Sequence, residues 1–334
     1  MVRRLARWGV AVAAALVAVG GCGAAWLVSA VNRDGAVSAA LRPARPTQGT
    51  TFLVVGNDSR ERIGLDRSDD TFGLPGAVAD QRADALMLVQ LPRRGGPVKV
   101  LSVPRDVLVD VEGLGSQRLS WVLGYGGRAA LVGAVTRLTG IPVQRYVEVD
   151  FVGFASVVDA AGGVIVDIPR AGRDRTTGFE AAAGPQRLDG AAALAYTRSR
   201  TYEELGPEGW QYIDDGDAGR IGRQQAVVRA AVASALSGSG SMLDRFRQLR
   251  RIGRHLTVDS GLSTLDLARL GSAMREGAGR PVESATLPTE PQATLAARVS
   301  PFPPYHLGAA AYLTPSQPAA SAAVAAFLGQ SRER

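Results

Sequence analysis

Three short β-branched and apolar runs, each flanked by a tight cluster of charged residues, constrain the fold of this chain more than any other feature. Thr51–Val55 leads into Gly56-Asn57-Asp58-Ser59-Arg60, Arg82-Ala83-Asp84 leads into Ala85–Leu91, and Val98–Val103 is followed by Pro104-Arg105-Asp106. Runs this short, bounded by turn formers, read as buried strands of one sheet. Pro92-Arg93-Arg94-Gly95-Gly96-Pro97 reads as a turn of the hairpin type between the second and third. Further strands are expected at Val107–Val111, Tyr146–Val149, Val164–Ile168 and near Ser284–Leu287. Helical spacing is expected at Gly127–Leu138, stopped by Gly140 before Pro142, and at Phe151–Ala161 and Asp189–Tyr196. It recurs at Arg220–Leu236, Ser241–Ile252 and Ser263–Met274, and near Pro318–Leu328. This mixture predicts a three-layer α/β or α+β domain around one sheet, over residues 51–330. Segments 61–80 and 201–216, rich in charge and glycine, are expected as loops beside a functional site.

The N-terminal end points to a membrane. Arg3, Arg4 and Arg7 precede an uncharged apolar stretch from Trp8 to Val31, long enough to span a bilayer as one helix. The flanking arginines keep that end cytoplasmic, so everything after Asn32 is expected outside the cell membrane. Residues 32–50, with Pro43 and Pro46, read as a linker. A competing reading takes Val19-Gly20-Gly21-Cys22 as a lipoprotein cleavage site, although apolar residues continue from Ala24 to Val31. Either way, the bulk of the chain is held at the outer face of the cytoplasmic membrane.

Several kinds of chemistry are excluded. Cys22 is the only cysteine and His255 and His306 the only histidines of the 334 residues. There is therefore no disulfide framework, and thiol catalysis, a serine–histidine–carboxylate triad and a histidine-rich zinc site are not expected. A net charge of +7 raises nucleic acid as a partner. No zinc-ligand spacing, aromatic RNA-binding signature or lysine–arginine tail supports it, and Lys99 is the sole lysine. The chemistry must run on carboxylates, arginines and a hard metal ion.

The arginines are grouped. Arg198-Ser199-Arg200 is followed by Gly216-Asp217-Ala218-Gly219-Arg220-Ile221-Gly222-Arg223-Gln224-Gln225. Guanidinium forks grip phosphate oxygens two at a time, so this grouping points to a polyanion. The three clusters at the strand ends lie where sheet proteins commonly build their sites. Asp58 and Asp84 are then a candidate pair for one Mg²⁺, which takes a few carboxylates and completes its shell with water and phosphate oxygens.

Taken in order, Gly-x-Asp-Ser-Arg, Arg-x-Asp, Val-Pro-Arg-Asp, Arg-Ser-Arg and Gly-Asp-x-Gly-Arg-x-x-Arg-Gln-Gln resemble the LytR-CpsA-Psr family over roughly residues 50–330. Tyr146-Val147-Glu148-Val149-Asp150-Phe151 and Leu188-Asp189-Gly190-x-x-Ala193-Leu194-Ala195-Tyr196 carry the same resemblance. Its members are membrane-anchored bacterial enzymes that transfer glycopolymers from a polyprenyl-pyrophosphate carrier onto peptidoglycan, with Mg²⁺ at the pyrophosphate. The resemblance implies an α-β-α sandwich around a central mixed sheet, with an apolar cavity for the polyprenyl chain. Leu131–Leu138 and Phe151–Val158 are candidates to line that cavity, although any single residue among them reads more readily as ordinary core.

By the same resemblance, Asp58 and Asp84 help bind the metal, and Arg82, Arg105, Arg198, Arg200 and Arg220 clamp the pyrophosphate with Gln224 nearby. Arg60, Arg118 and Arg223 extend that set, and Asp217 orients the arginines. Ala85 stands where relatives often carry threonine, and Arg67-Ser68-Asp69-Asp70-Thr71 imitates the Arg-x-Asp motif without running into an apolar strand. Breaking the sugar–phosphate bond builds charge on the leaving pyrophosphate, which fixed cations stabilise most in the transition state. An acceptor hydroxyl must lose its proton, and Asp84 and Asp106 both stand as candidate bases. A pyrophosphatase side activity follows if water replaces the acceptor. The alternative is a non-catalytic polyprenyl-pyrophosphate carrier or envelope regulator.

Overall fold

The computed structural model describes residues 31–42, 49–57, 81–92, 97–160, 162–213, 255–263, 283–292 and 312–329, with isolated positions between 219 and 253. They fall into two compact units. One comprises Asn32–Asp150, Leu256–Leu262 and Glu283–Arg334; the other is centred on Phe151–His255.

The first unit begins with β1 (Asn32–Asp34) and α1 (Gly35–Ala40), whose N-terminus is capped by the Asp34 carboxylate accepting from the Val37 amide at 3.1 Å. Residues 32–40 were expected as linker; here Asn32–Asp34 pair with the sheet and Gly35–Ala40 are helical. Strands β2 (Thr50–Asn57), β3 (Ala83–Leu91) and β4 (Lys99–Ser102) follow, then the hairpin β5 (Leu108–Val111) and β6 (Gly115–Arg118). Next come α2 (Leu119–Thr139) and β7 (Arg145–Asp150). The helix begins earlier than its sequence pattern indicates. Gly127, at φ 73° and ψ −178°, breaks the helical backbone and shifts the apolar periodicity, so only the half after it reads as a helix. Gly140 ends α2 in the left-handed conformation, as its position predicts.

The second unit is made of α3 (Phe151–Ala160), β8 (Val164–Ile168), β9 (Gly172–Asp174), β10 (Phe179–Ala181), β11 (Gly184–Leu188), α4 (Gly190–Arg198), β12 (Glu203–Gly206) and β13 (Gly209–Tyr212). Segment 201–216 was expected as a loop, but Glu203–Tyr212 is an antiparallel hairpin pairing with β9. Its Glu, Gly and Pro content hides the strands from pattern reading.

The chain returns to the first unit through β14 (Leu256–Asp259), β15 (Glu283–Thr286), β16 (Thr289–Gln292), β17 (Tyr312–Pro315) and α5 (Ala319–Leu328). The central sheet is mixed, in the order β1-β14-β7-β2-β3-β4-β15. β2 pairs parallel with β7 and antiparallel with β3. Leu53, Val55, Leu88 and Leu101 are fully buried, which is why these strands read as continuous apolar runs. Leu131, Val132 and Val135 of α2 join the same core with Tyr146 and Phe327, so this part of the expected cavity lining packs as core. Among the described residues no helix is long and apolar enough to cross a membrane; residues 1–30, which hold nearly all of the apolar N-terminal stretch, lie outside them.

Beneath the C-terminal ends of β2 and β7 runs a buried polar network. Glu148 takes both Arg128 Nε (2.7 Å) and Nη2 (2.9 Å), and accepts from Tyr146 Oη (2.6 Å) and Asn57 Nδ2 (2.9 Å). Asp34 lies 3.4 Å from Arg128. Burial opposes the charge on Arg128, but the hydrogen bonds and charge of Glu148 outweigh it and raise its pKa. Burial first, and then the same carboxylate, push the Tyr146 phenol well above its ordinary range.

Candidate functional site

In the first unit the strand ends gather four of the expected residues. The pairing of β2 with β3 matches Gly56 to Ala85 and Asn57 to Ala83, leaving Asp84 as the extra residue of a β-bulge. A bulge re-aims a side chain out of the strand's alternation. Asp84 thereby meets Arg105, whose Nη1 donates to Oδ1 at 2.6 Å. Arg105 sits in the turn that follows β4, where its carbonyl accepts from the Ser120 amide at 2.9 Å and ties the turn to the start of α2.

The row continues through Asp106. Arg105 Nε is 3.4 Å from Asp106 Oδ2, and Arg118 Nη1 is 3.6 Å from Asp106 Oδ1. Arg118, the N-cap residue of α2, lies between two rings, 5.5 Å from the centre of Trp121 and 5.0 Å from that of Tyr312. All four side chains are largely shielded. Burial raises the Tyr312 pKa, against the opposing charge of Arg118. Two carboxylates alternate with two guanidiniums, so each fork is oriented before any ligand arrives.

Asp84 offers its second oxygen on the bulge. Among the described residues no three His, Cys, Asp or Glu side chains converge, and Asp58 lies outside them. A partly shielded carboxylate suits Mg²⁺, which keeps several waters and takes phosphate oxygens, better than it suits zinc. The residues present therefore fit Mg²⁺, and Asp84 is the described residue that would hold it.

The second unit holds another set. Asp189 caps α4 by accepting from the Ala192 amide at 2.8 Å, and Asp159 accepts from the Gly190 amide at 2.7 Å. At the other end of α4, the Arg198 guanidinium lies 4.9 Å from the Phe151 ring centre. Beyond it, the fully buried Asp174 gathers the Ser199–Thr201 segment. Asp174 Oδ2 accepts from the Ser199 hydroxyl and from the amides of Arg200 (3.0 Å) and Thr201 (2.9 Å). Its Oδ1 accepts from the Thr201 hydroxyl (2.9 Å) and the amides of Thr176 (2.8 Å) and Thr177 (3.1 Å). Burial disfavours the charged carboxylate, but the bonds from Ser199, Thr201 and Thr177 outweigh it and hold its pKa at about 2.

Arg200 itself is exposed. Arg223, expected among the pyrophosphate ligands, is buried: its Nη2 donates to the Ser199 carbonyl at 3.1 Å and its guanidinium lies 4.7 Å from the Tyr202 ring centre. It thus braces the segment that carries Arg200. Arg82 is exposed at the entrance to β3. Asp58, Arg60, Asp217, Arg220 and Gln224 lie outside the described residues, as does the imitating motif 67–71.

Sequence reasoning missed Asp174, Glu148 and Arg128. Asp174 had one legible signal, an aspartate two and three residues before Thr176 and Thr177, the pattern of a side chain accepting from its own turn. Glu148 and Arg128 had none, since only the parallel pairing of β7 with β2 brings Asn57 to Glu148.

The family model described as LytR_cpsA_psr family matches residues 28–310. A probable cell wall biosynthesis protein LcpB of Corynebacterium glutamicum is 34% identical over 255 residues, which covers 75% of this chain and 58% of that protein. A polyisoprenyl-teichoic acid–peptidoglycan teichoic acid transferase TagU of Bacillus mycoides is 31% identical over 184 residues, covering 53% of this chain and 56% of its own. The chain thus spans somewhat more than half the length of these curated relatives. Among solved structures, a LytR-Csp2A-Psr enzyme from Actinomyces oris superposes with a TM-score of 0.65 at 27% identity, covering 89% of this chain and 96% of that one. TagT bound to LI-WTA shares the fold with a TM-score of 0.60 at 22% identity, covering 90% and 99%.

Proposed function

The chain belongs to the LytR-CpsA-Psr family, and from that premise we propose that it transfers a glycopolymer from a polyprenyl-pyrophosphate carrier onto peptidoglycan. The row Asp84–Arg105–Asp106–Arg118 carries the reading, because it is a preorganised set of guanidinium forks at the strand ends. The names of the relatives, a cell wall biosynthesis protein and a teichoic acid–peptidoglycan transferase, support the same class of reaction.

The reaction is phosphotransfer. An acceptor sugar hydroxyl attacks the phosphorus that bears the glycopolymer, the P–O–P bridge breaks, and polyprenyl phosphate leaves with the bonding electron pair. The polymer keeps its phosphate and becomes a phosphodiester of the wall. The bond that breaks is thus in the P–O–P bridge, and not the sugar–phosphate bond of the sequence expectation. Arg105 and Arg118 hold the phosphate oxygens on which charge builds, and fixed donors of this kind act without reorganising. Asp106, between the two guanidiniums, is positioned to hold both forks; Asp84 or Asp106 takes the acceptor proton. Mg²⁺ held by Asp84 would supply further neutralisation of phosphate charge. Arg198 and Arg200 are additional phosphate ligands by family motif. Residues 1–31 anchor the chain in the cytoplasmic membrane, with the catalytic units outside, which keeps the carrier lipid within reach.

The test is transfer itself. Full-length protein in detergent, a labelled lipid-pyrophosphate-linked oligosaccharide and washed sacculi are incubated with and without Mg²⁺, and label on the sacculi is counted. Metal-dependent label on the wall supports the reading. Lipid bound with no label transferred would make the protein a carrier.

A further inference from the structure

The strands β10-β9-β12-β13 form a sheet with two unlike faces. Gly172, Asp174 and Phe179 are buried on one side, where the Phe179 ring lies 4.6 Å from Tyr196 and 6.2 Å from Tyr202. A methyl at Gly172 would overlap the Tyr202 hydroxyl, so this face is filled. The register sets Arg173, Glu203 and Tyr212 side by side on the opposite face, with Leu205 facing Trp210 as the next pair. The open face of an antiparallel sheet is ordinarily polar. Here Leu205 is 46% and Tyr212 56% exposed. The Trp210 ring is also held: Arg173 Nε donates to Glu203 at 2.5 Å while its guanidinium lies 4.2 Å from the ring centre.

The charges narrow what this face can take. Glu203–Tyr212 contains Glu203, Glu204 and Glu208 and no lysine or arginine. Arg173 neutralises Glu203, and Arg170 lies 3.7 Å from Glu204. An anionic lipid surface or a phosphate-rich polymer needs cations in excess, and this hairpin has none. A hydroxyl-rich sugar chain is matched on both counts. Aromatic rings offer flat apolar area with a polar tip, and the carboxylates and guanidinium accept from and donate to hydroxyls. The hairpin also follows directly on Arg198-Ser199-Arg200, the segment that Asp174 fixes.

We propose that the face formed by Arg173, Glu203, Leu205, Trp210 and Tyr212 is a docking surface for a glycan strand of the wall, the acceptor of the transfer reaction, and so rests on that reading. The surface holds sugar rings against Tyr212 and Trp210 beside the arginine segment and takes no part in bond breaking.

Binding is tested apart from catalysis. Full-length protein in detergent is sedimented with sacculi stripped of attached polymers, with chito-oligosaccharide as competitor and phospholipid vesicles as the other surface. Wild type sediments with sacculi and is released by the oligosaccharide; Tyr212→Ala binds about fivefold more weakly and Tyr212→Phe stays within about twofold of wild type. Sedimentation of Tyr212→Ala equal to wild type overturns the proposal. So does failure of wild type to bind sacculi, or a Tyr212-dependent binding to vesicles in its place. Phosphate release from polyprenyl pyrophosphate is followed in parallel. Its absence in wild type would count against the transfer reaction, whereas normal release by Tyr212→Ala with weakened sedimentation assigns the residue to the acceptor alone.

Discussion

Arg105 donates to Asp84 at 2.6 Å across 21 residues of chain, and the two meet because Asp84 is the extra residue of a bulge. Both side chains are largely shielded but keep 17% of their surface in contact with solvent, so water still screens the pair, and it serves orientation more than stability. Asp84→Asn keeps the shape and removes the charge. It is expected to unfold within about 1 kcal/mol of wild type while phosphate release falls about a hundredfold. A Mg²⁺ titration of the rate separates the roles: the variant requires more metal if Asp84 is its ligand.

Asp174 makes stability depend on acidity in a defined direction. Its pKa is about 2 in the folded chain against about 3.9 for an ordinary aspartate. A depressed pKa stabilises the fold fully above the unfolded value, and the stabilisation is lost as pH falls toward the folded one. Denaturant melts at about pH 5.5, above that window, and at about pH 2.5, most of the way down it, are expected to differ by about 2 kcal/mol more in wild type than in Asp174→Asn. Because the carboxylate fixes Arg200 and Thr201, the variant also raises KM for the pyrophosphate donor more than it lowers kcat.

Burial orders the costs in the Arg128–Glu148 pair. The Glu148 side chain is 5% exposed and that of Arg128 26%. Arg128→Met strands the deeper charge and is expected to cost about 3 kcal/mol or more, with Glu148→Gln less. The double variant Arg128→Met/Glu148→Met is expected to be less damaging than Arg128→Met alone. Urea titrations of the three variants check the order.

Gly190 sits where α4 meets α3. A methyl there would overlap the Ala155 carbonyl oxygen, a backbone atom that cannot swing aside. Gly190→Ala is therefore expected to destabilise by about 1–3 kcal/mol, although alanine is the better helix former. Thermal melts check this; an unchanged Tm would mean that the two helices have room to part.

Strands β2, β3, β4, β7 and β15 of the central sheet were legible, because residues such as Leu53, Val55, Leu88 and Leu101 are buried and the sequence need only alternate where one face meets water; β1 and β14 were not. The cluster of Asp84, Arg105 and Asp106 was legible because each stands at the end of such a run. Other parts left no local trace. β9 and β10 have three residues each, too few for any period to register. The β12–β13 hairpin looks like a loop because Gly206, Pro207 and Gly209 interrupt its few apolar residues. The burial of Arg223 against Tyr202 left no trace either, since a buried arginine and an exposed one are written with the same letter. Residues 32–40 join the sheet only through β14, more than two hundred residues later.

Release of phosphate from a polyprenyl pyrophosphate by wild type and by Arg105→Ala tests the central claim most directly. Metal-dependent release is expected, falling by about two to three orders of magnitude in the variant, while the melting temperature changes little. Equal release by the two proteins would contradict it, and would move the chemistry away from the strand ends that hold Asp84, Arg105, Asp106 and Arg118.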